Sequence, residues 1–459
     1  MLGLLGLKVR TVCYSEYLSS RDYDLFEDVF SRFGIKERIC YSTIKLFALD
    51  SIDEKGDIFA LTESFMRGRL AASSISSDAI SNLSNNFEVL LVDEVDILFG
   101  KEFHGKTLKP VISIKEPEVS EILMRIWNAF NQGGRSLQLC DIQSMPEYSR
   151  LLQKLPGHQY YVDNQISRML SQVGHVDTIP YHLDQDTDKI GYTELDSISY
   201  STEYGYLTVF AYLKESENLR TKDITLEKVL AMKFRCAQFS YVNISPYRII
   251  GVSGTLHALG SYEKTVLGRY NLNKFTYIPS VYSGTNFMFD KAGRGIYLEK
   301  SESDFNHRLS TEITQVTRSD GSVIVFFPDN SALQKFVDSP VFRRLGRHKN
   351  TLTELTNSTD KEYIINKAAT AGQITLSTAI FGRGTDFFCK DETVEKSGGV
   401  RIIQTFLSKD LSDEVQIQGR TARQGKHGSY QLVLLESDLE RDFDESRGEN
   451  QIAHEARYE

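Results

Sequence analysis

Apolar residues along this chain keep one rhythm at both ends and lose it in the middle. KVRTVCYS (Lys8–Ser15) and KERICYST (Lys36–Thr43) are short β-branched runs that suit strands. Between them Tyr23, Phe26, Val29, Phe30 and Phe33 recur at helical spacing. The spacing predicts a helix capped by Ser19 or Ser20 and closed by Gly34. Val89–Val92 form a third run, and RIIGVSGT (Arg248–Thr255) returns to the buried-strand type. SVIVFF (Ser322–Phe327), QITLST (Gln373–Thr378), VRIIQT (Val400–Thr405) and YQLVLL (Tyr430–Leu435) follow, each ending in a polar loop. Near-continuous apolar strands alternating with helices are what a parallel sheet covered on both faces requires.

From about residue 105 to 245 the rhythm breaks. EVSEILMRIWNAF predicts an amphipathic helix, and SISYSTEYGYLTVFAYL, with Tyr204, Tyr206 and Tyr212 near alternation, predicts the packed face of a sheet rather than a binding platform. We read this region as an inserted domain. The expected organisation is 1–104 as a first α/β domain, 105–245 as the insertion, 246–275 as a return and linker, 276–436 as a second α/β domain, and 437–459 as an acidic tail. A length of 459 residues accommodates about three domains.

Composition narrows the function without choosing it. Hydrophobic residues make up 41% and charged residues 25%, ordinary values for a globular protein, and no run approaches a membrane span. MLGLLGLKVR lacks the basic start and small-residue cleavage site of a signal peptide, so a cytoplasmic chain is expected, with any membrane contact peripheral. The net charge of −9, without a dense basic block, argues against a long nucleic acid as partner. Cys13, Cys40, Cys140, Cys236 and Cys389 form no C-x-x-C pair, which favours reduced thiols and leaves no structural zinc motif.

The chemistry concentrates in VLLVDEVDILFGKEFHGKT, Val89–Thr107. A buried parallel strand delivers its terminal carboxylates to the crevice where ligands bind in such sheets. Asp93 is placed to hold Mg²⁺ through water, Glu94 to orient and deprotonate an attacking water, and Asp96 completes D-E-x-D. Gly100–Thr107 also satisfies the phosphate-loop pattern G-x-x-x-x-G-K-[ST]. A working loop must open a helix, whose N-terminus completes the anion site. LKPVISI follows instead, so this match is expected to be a decoy.

Further along, Ser253-Gly254-Thr255 is a hydroxyl turn able to relay between a nucleotide site and a neighbouring domain. In STAIFGRGTDF, Gly382 and Gly384 let backbone approach a ligand, Arg383 supplies charge, and Asp386 can accept from a ribose or an arginine. In QIQGRTARQG, which opens at Gln416, Arg420 and Arg423 stand three apart. On a helix they would share a face and meet a γ-phosphate.

An acid pair, a hydroxyl turn, GRGTD and GR-x-x-R, in that order over two α/β units, resemble the superfamily-two helicase-type motors, and more narrowly the SecA preprotein translocase ATPases. SEYLSSRD, with Arg21 and Asp22, resembles that family's N-D-Y-L-A-x-R-D; FSYVNISPYRIIGVSGT and GRTARQGKHGS resemble two more of its stretches. The resemblance runs in patches from Val12 to Leu435, with little identity in 105–245. It implies two RecA-like parallel-sheet motor domains, the first incomplete, with an inserted α+β domain in the place of the family's preprotein-cross-linking domain. ATP and Mg²⁺ are the implied cofactors, bound between the motor domains, with Gly382, Arg383, Gly384, Asp386 and Gln416 as nucleotide contacts. Asp93, Glu94, Arg420 and Arg423 are the implied catalytic set, and Arg21, Asp22, Ser253, Gly254 and Thr255 the coupling set.

The implied partners are an unfolded polypeptide or preprotein and a membrane translocon; a homo-oligomer is compatible with the resemblance, which does not fix the oligomeric state. The resemblance also places the family's phosphate loop ahead of Met1, so turnover by these residues alone is expected to be near background. FLSKDLSDE departs from the family's His-, Glu- and Arg-rich run at that point. The competing readings are a nucleic-acid helicase of the wider superfamily and a non-catalytic remnant that binds a partner through the insertion.

Overall fold

The computed structural model describes residues 1–13, 16–53, 56–69, 88–98, 107–133, 137–184, 187–194, 197–200, 202–217, 223–240, 248–270, 272–279, 281–282, 284–290, 295–346, 348–408 and 411–441. The chain divides into two compact units: Met1–Glu194 with Ile198–Val252, and Ser253–Glu459 with Leu195–Ser197.

The first unit contains a four-stranded parallel sheet, in spatial order Arg248–Val252, Glu88–Asp93, Lys8–Cys13, Ile39–Thr43. Val9, Val12, Val89, Leu90 and Val92 are buried, as expected for strands covered on both faces. The helix after the first strand spans Glu16–Arg32 and so begins earlier than the serines predicted to cap it; Ser19 is buried inside it. Gly34 does close it, at φ +63°. Its apolar stripe is only partly used. Tyr23 and Phe30 pack against Tyr41, whereas Phe26, Val29 and Phe33 are exposed.

The insertion is entered and left through a two-stranded antiparallel neck, Thr107–Leu108 against Phe239–Ser240. A second antiparallel pair, Val111–Ile114 with Met232–Arg235, lies just beyond. Its core is separate from the parallel sheet and gathers Ile122, Trp127, Leu151, Ile166, Tyr206, Phe210 and Phe234. The predicted amphipathic helix is present as Pro117–Asn131.

The tyrosine-rich stretch is a correction: Tyr206–Glu217 is an α-helix, not a strand, with Ser197–Ser199 extended before it. Tyr206, Val209, Phe210 and Leu213 follow helical spacing, but Thr208, Ala211, Tyr212 and Glu215 are buried too. A helix surrounded by core loses the polar face that reveals its period. The phenols find hydrogen-bond partners inside: Tyr206 Oη donates to Gln165 Oε1 at 3.1 Å, and Tyr212 Oη accepts from Ile190 N at 2.8 Å.

Helix Ile58–Met66, well before residue 105, also packs into this core through Met66. A bond between His158 Nε2 and the Phe65 carbonyl (2.9 Å) and an Arg67–Glu116 ion pair (2.8 Å) secure its end.

The second unit is built on a larger sheet, ordered Asn286–Met288, His427–Leu435, Val400–Gln404, Ser322–Phe327, Ile374–Thr378, Lys349–Leu352, with Ile296–Glu299 also pairing along His427–Leu435. Every pairing is parallel. The four predicted strands are all present within a few residues. Ser322–Phe327 is buried along its whole length because it lies at the centre. Two parallel sheets and an interposed α+β region are thus the α/β class expected. Among the described residues, no helix is long and apolar enough to cross a membrane.

Candidate functional site

Register places the acid pair at the carboxyl edge of the first sheet. Asp93 is the last residue of its strand and lies opposite Val252; Val12 lies opposite Val92, so Cys13 ends flush with Asp93. Glu94 then turns through a left-handed backbone, φ +51°, one of five non-glycine residues with positive φ among those described. That conformation is strained and clusters at functional sites. The chain re-enters a helix at Val95–Leu98. Val95 lies directly over Gly251: a Cβ on Gly251 would come within 2.4 Å of the valine side chain. Gly251 is therefore what allows the neighbouring strand to pass beneath the acid turn, a role the sequence reading missed.

Around this edge like charges gather. Burial first, then the Asp22 carboxylate, push the Asp93 carboxyl above its ordinary range; Asp96 adds to the push, while Arg21 and a backbone bond at Glu94 oppose it. Arg21 pairs with Asp22 at 2.7 Å. The Cys13 thiol, pushed up to about 12 by burial and then by Asp22 and Asp93, stays protonated and inert. Arg21, Asp22, Asp93 and Asp96 thus form one electrostatic neighbourhood.

Thr107–Leu108 begins the neck strand, so extended chain rather than a helix follows the phosphate-loop match. Residues 100–106 of that match lie outside the described residues. Ser253 and Thr255 form a self-bonded turn: their hydroxyl oxygens are 2.9 Å apart, and Thr255 N donates to Ser253 Oγ at 3.0 Å. Thr255 is buried, whereas nothing crowds Gly254.

In the second unit GRGTD and GR-x-x-R are folded against each other. The two glycines serve different ends. A Cβ on Gly382 would lie 2.4 Å from Ile417, so this glycine lets the loop touch helix Leu411–Gln418; Gly384 adopts φ +66°. Arg383 donates Nε to Asp413 at 2.8 Å and Nη2 to Ser412 Oγ at 3.0 Å. Both partners come from FLSKDLSDE, the stretch that departs from the family pattern, and neither was singled out from sequence.

The two arginines do not share a helical face. The helix stops at Gln418, and Ala422 and Gln424 turn left-handed at φ +54° and +55°. Crowding explains the turn. A Cβ on Gly428 would lie 2.0 Å from Thr421 Oγ1, whose hydroxyl donates to the Val400 carbonyl at 2.6 Å, so the chain must fold tightly onto the sheet edge.

Arg420 is consequently buried. It donates Nε to the Gln416 carbonyl (3.1 Å), Nη2 to Gln416 Oε1 (2.7 Å) and Nη1 to the Thr385 carbonyl. Arg423 is looser: it donates Nη1 to Asp386 Oδ1 at 2.5 Å, and their side chains are 34% and 52% exposed. Of the two, Arg423 is the guanidinium an anion could reach. Gln416 is a buried support for Arg420.

No family model matches the chain. Over 110 residues, 24% of this chain and 13% of the relative, it is 34% identical to the protein translocase subunit SecA of Nitratidesulfovibrio vulgaris. Over 81 residues, 17% of this chain and 10% of the relative, it is 41% identical to the SecA of Syntrophus aciditrophicus. A SecA 2 of Listeria monocytogenes is 37% identical over 89 residues, 11% of its length. The matched stretches thus span about a tenth of these relatives, and over them the chain is SecA-like. The DEAD-box helicase Mss116, solved with single-stranded RNA and UDP-BeF, aligns with 94% of this chain and 60% of its own at 12% identity and a TM-score of 0.38.

Proposed function

We propose that this chain is the core of a SecA-like, ATP-driven motor that moves unfolded polypeptide, with a membrane translocon as docking partner and a cytoplasmic, peripherally attached location. The observation that supports it most is the contrast of charge between two sheet edges. One presents crowded carboxylates at Asp22, Asp93 and Asp96, and the other presents paired arginines on GRGTD and GR-x-x-R. A dication would answer the first and a phosphate the second.

The acid edge fits Mg²⁺ on its own chemistry. A half-buried carboxyl destabilised by neighbouring carboxylates gains when a dication neutralises it, and Mg²⁺ keeps much of its water, so one protein carboxylate can suffice. Bound there, the ion would neutralise phosphate charge. Asp93 would hold it through water. Glu94, aimed by its left-handed backbone, would orient and deprotonate the attacking water. Arg423 would leave Asp386 for the γ-phosphate, while Arg420 keeps the turn in shape from within. Arg383 and Asp386 would couple nucleotide occupancy to the second unit, and Arg21, Asp22 and the Ser253–Thr255 turn to the first. The insertion, with its own core and narrow neck, is the proposed polypeptide-holding element. The net charge of −9 disfavours nucleic acid in that role.

Turnover by these 459 residues is expected near background, because their one phosphate-loop match leads into a strand. Magnesium-dependent phosphate release tests this. The expected result is a rate indistinguishable between the native chain, Glu94→Gln and Lys106→Ala. Robust turnover abolished by Lys106→Ala would overturn it.

A further inference from the structure

The segment that carries the chain from Val252 into the second sheet ends on the arginine turn. Asn286, the exposed first residue of strand Asn286–Met288, donates its Nδ2 to the Gly425 carbonyl at 2.8 Å. That strand runs parallel to His427–Ser429, with Asn286 opposite His427. Just upstream, Tyr282 lies against Gly425, its Cβ 3.8 Å from where a Cβ there would stand. Phe275, Tyr277, Ile278 and Val281, farther back on the same segment, are exposed.

The turn needs such anchors. Ala422, Gln424 and Gly425 all hold positive φ, and strained backbone persists only where its surroundings over-determine it. Thr421 fixes the entrance through the Val400 carbonyl, and the Arg423–Asp386 pair fixes the middle. When Arg423 exchanges Asp386 for a phosphate, the tie across to Asp386 is lost and the middle keeps the bond from Arg423 Nε to the Gly419 carbonyl at 2.8 Å. The bond from Asn286 to Gly425 then holds the exit together with the one from His427 N to Glu395 at 3.0 Å.

We infer that Asn286 is a positioning residue for Arg423. It secures the Gly425 carbonyl so that the guanidinium can change partners without the turn unwinding, and it ties the turn to the segment arriving from Val252. The inference rests on the reading of Arg423 as the phosphate-facing group.

The test uses the full chain and Asn286→Asp, which sets a carboxylate against the carbonyl, with Asn286→Ala as the milder variant. In hydrogen exchange without nucleotide, amides of 421–427 should exchange roughly tenfold faster in Asn286→Asp, with those of Ser322–Phe327 unchanged. Unchanged exchange at 421–427 in both variants would overturn the anchor. A double-mutant cycle then reads the link to Arg423, using binding of a magnesium–ATP analogue. Asn286→Asp and Arg423→Gln should each weaken binding by roughly tenfold, and the double variant no further than Arg423→Gln alone. Losses that multiply would overturn the link. A native chain that binds no analogue sinks the motor reading, while the exchange result still decides whether Asn286 anchors the turn.

Discussion

The edges of the two parallel sheets handle charge in opposite ways. At the first, carboxylates are crowded and partly buried, and burial with the neighbouring Asp22 raises the Asp93 carboxyl above its ordinary range. At the second, Arg383 is joined to Asp413, Arg420 to Gln416 and the Thr385 carbonyl, and Arg423 to Asp386. The first edge gains by receiving a cation. The second is satisfied as it stands and must break a pair to receive an anion. The exposed pair is the one to break, because an ion pair in water contributes little, whereas a buried guanidinium leaves several acceptors stranded when removed.

Steric changes give the largest effects. Gly428→Val should drive a side chain into Thr421 and the backbone at Ala422 and destabilise the second unit by about 3–4 kcal/mol. Chemical denaturation followed by a probe in that unit measures it, and a loss within experimental error would show that the turn is not packed as described. Gly251→Ala does the same at the first edge, against Val95, with an expected loss of about 2 kcal/mol confined to the first unit.

Arginine truncation sharpens the contrast. Arg420→Ala should cost about 2–3 kcal/mol, since the buried Gln416 and Thr385 acceptors lose a charged donor. Arg423→Ala should cost less than about 1 kcal/mol, as for other exposed pairs. Equal costs in denaturation would erase the distinction between the buried and the exposed arginine.

The smallest effect carries the opposite sign. The Asp93 pKa is raised on folding, so the native state holds this proton more tightly than the unfolded chain does. Its contribution is neutral below the ordinary carboxylate value of 3.8 and becomes destabilising as pH rises from there through the higher folded value. Asp93→Asn should therefore raise Tm at neutral pH by about 2 °C, with the gain vanishing at acid pH. A melting point that falls at neutral pH would contradict the crowding at this edge.

What sequence could show followed from burial. SVIVFF, QITLST, VRIIQT and YQLVLL were legible because central parallel strands are apolar on both faces. Lys349–Leu352 went unseen because KNTL, at the sheet's margin, has one exposed side and little apolar signal. The helix Tyr206–Glu217 was mistaken for a strand because burial of Thr208, Ala211 and Tyr212 beside its core stripe blurred its helical period. At the candidate site, the place of Asp93 at the end of its strand, with Glu94 just beyond, could be read directly, since a buried apolar run that stops at acids marks a strand end. The arginine turn could not. Its shape is imposed by Gly428 pressing on Thr421, and by Asn286, more than a hundred residues away in the chain. Asp413, the partner of Arg383, carried only the weak signal of an acid in the first turn of a helix.

The most direct test is binding of a magnesium–ATP analogue to the native chain, to Asp93→Asn and to Arg423→Gln. The account predicts weak, magnesium-dependent binding that drops at least roughly tenfold in each variant, because the cation needs Asp93 and the phosphates need Arg423. Binding that needs no magnesium, or that survives both substitutions unchanged, would contradict it.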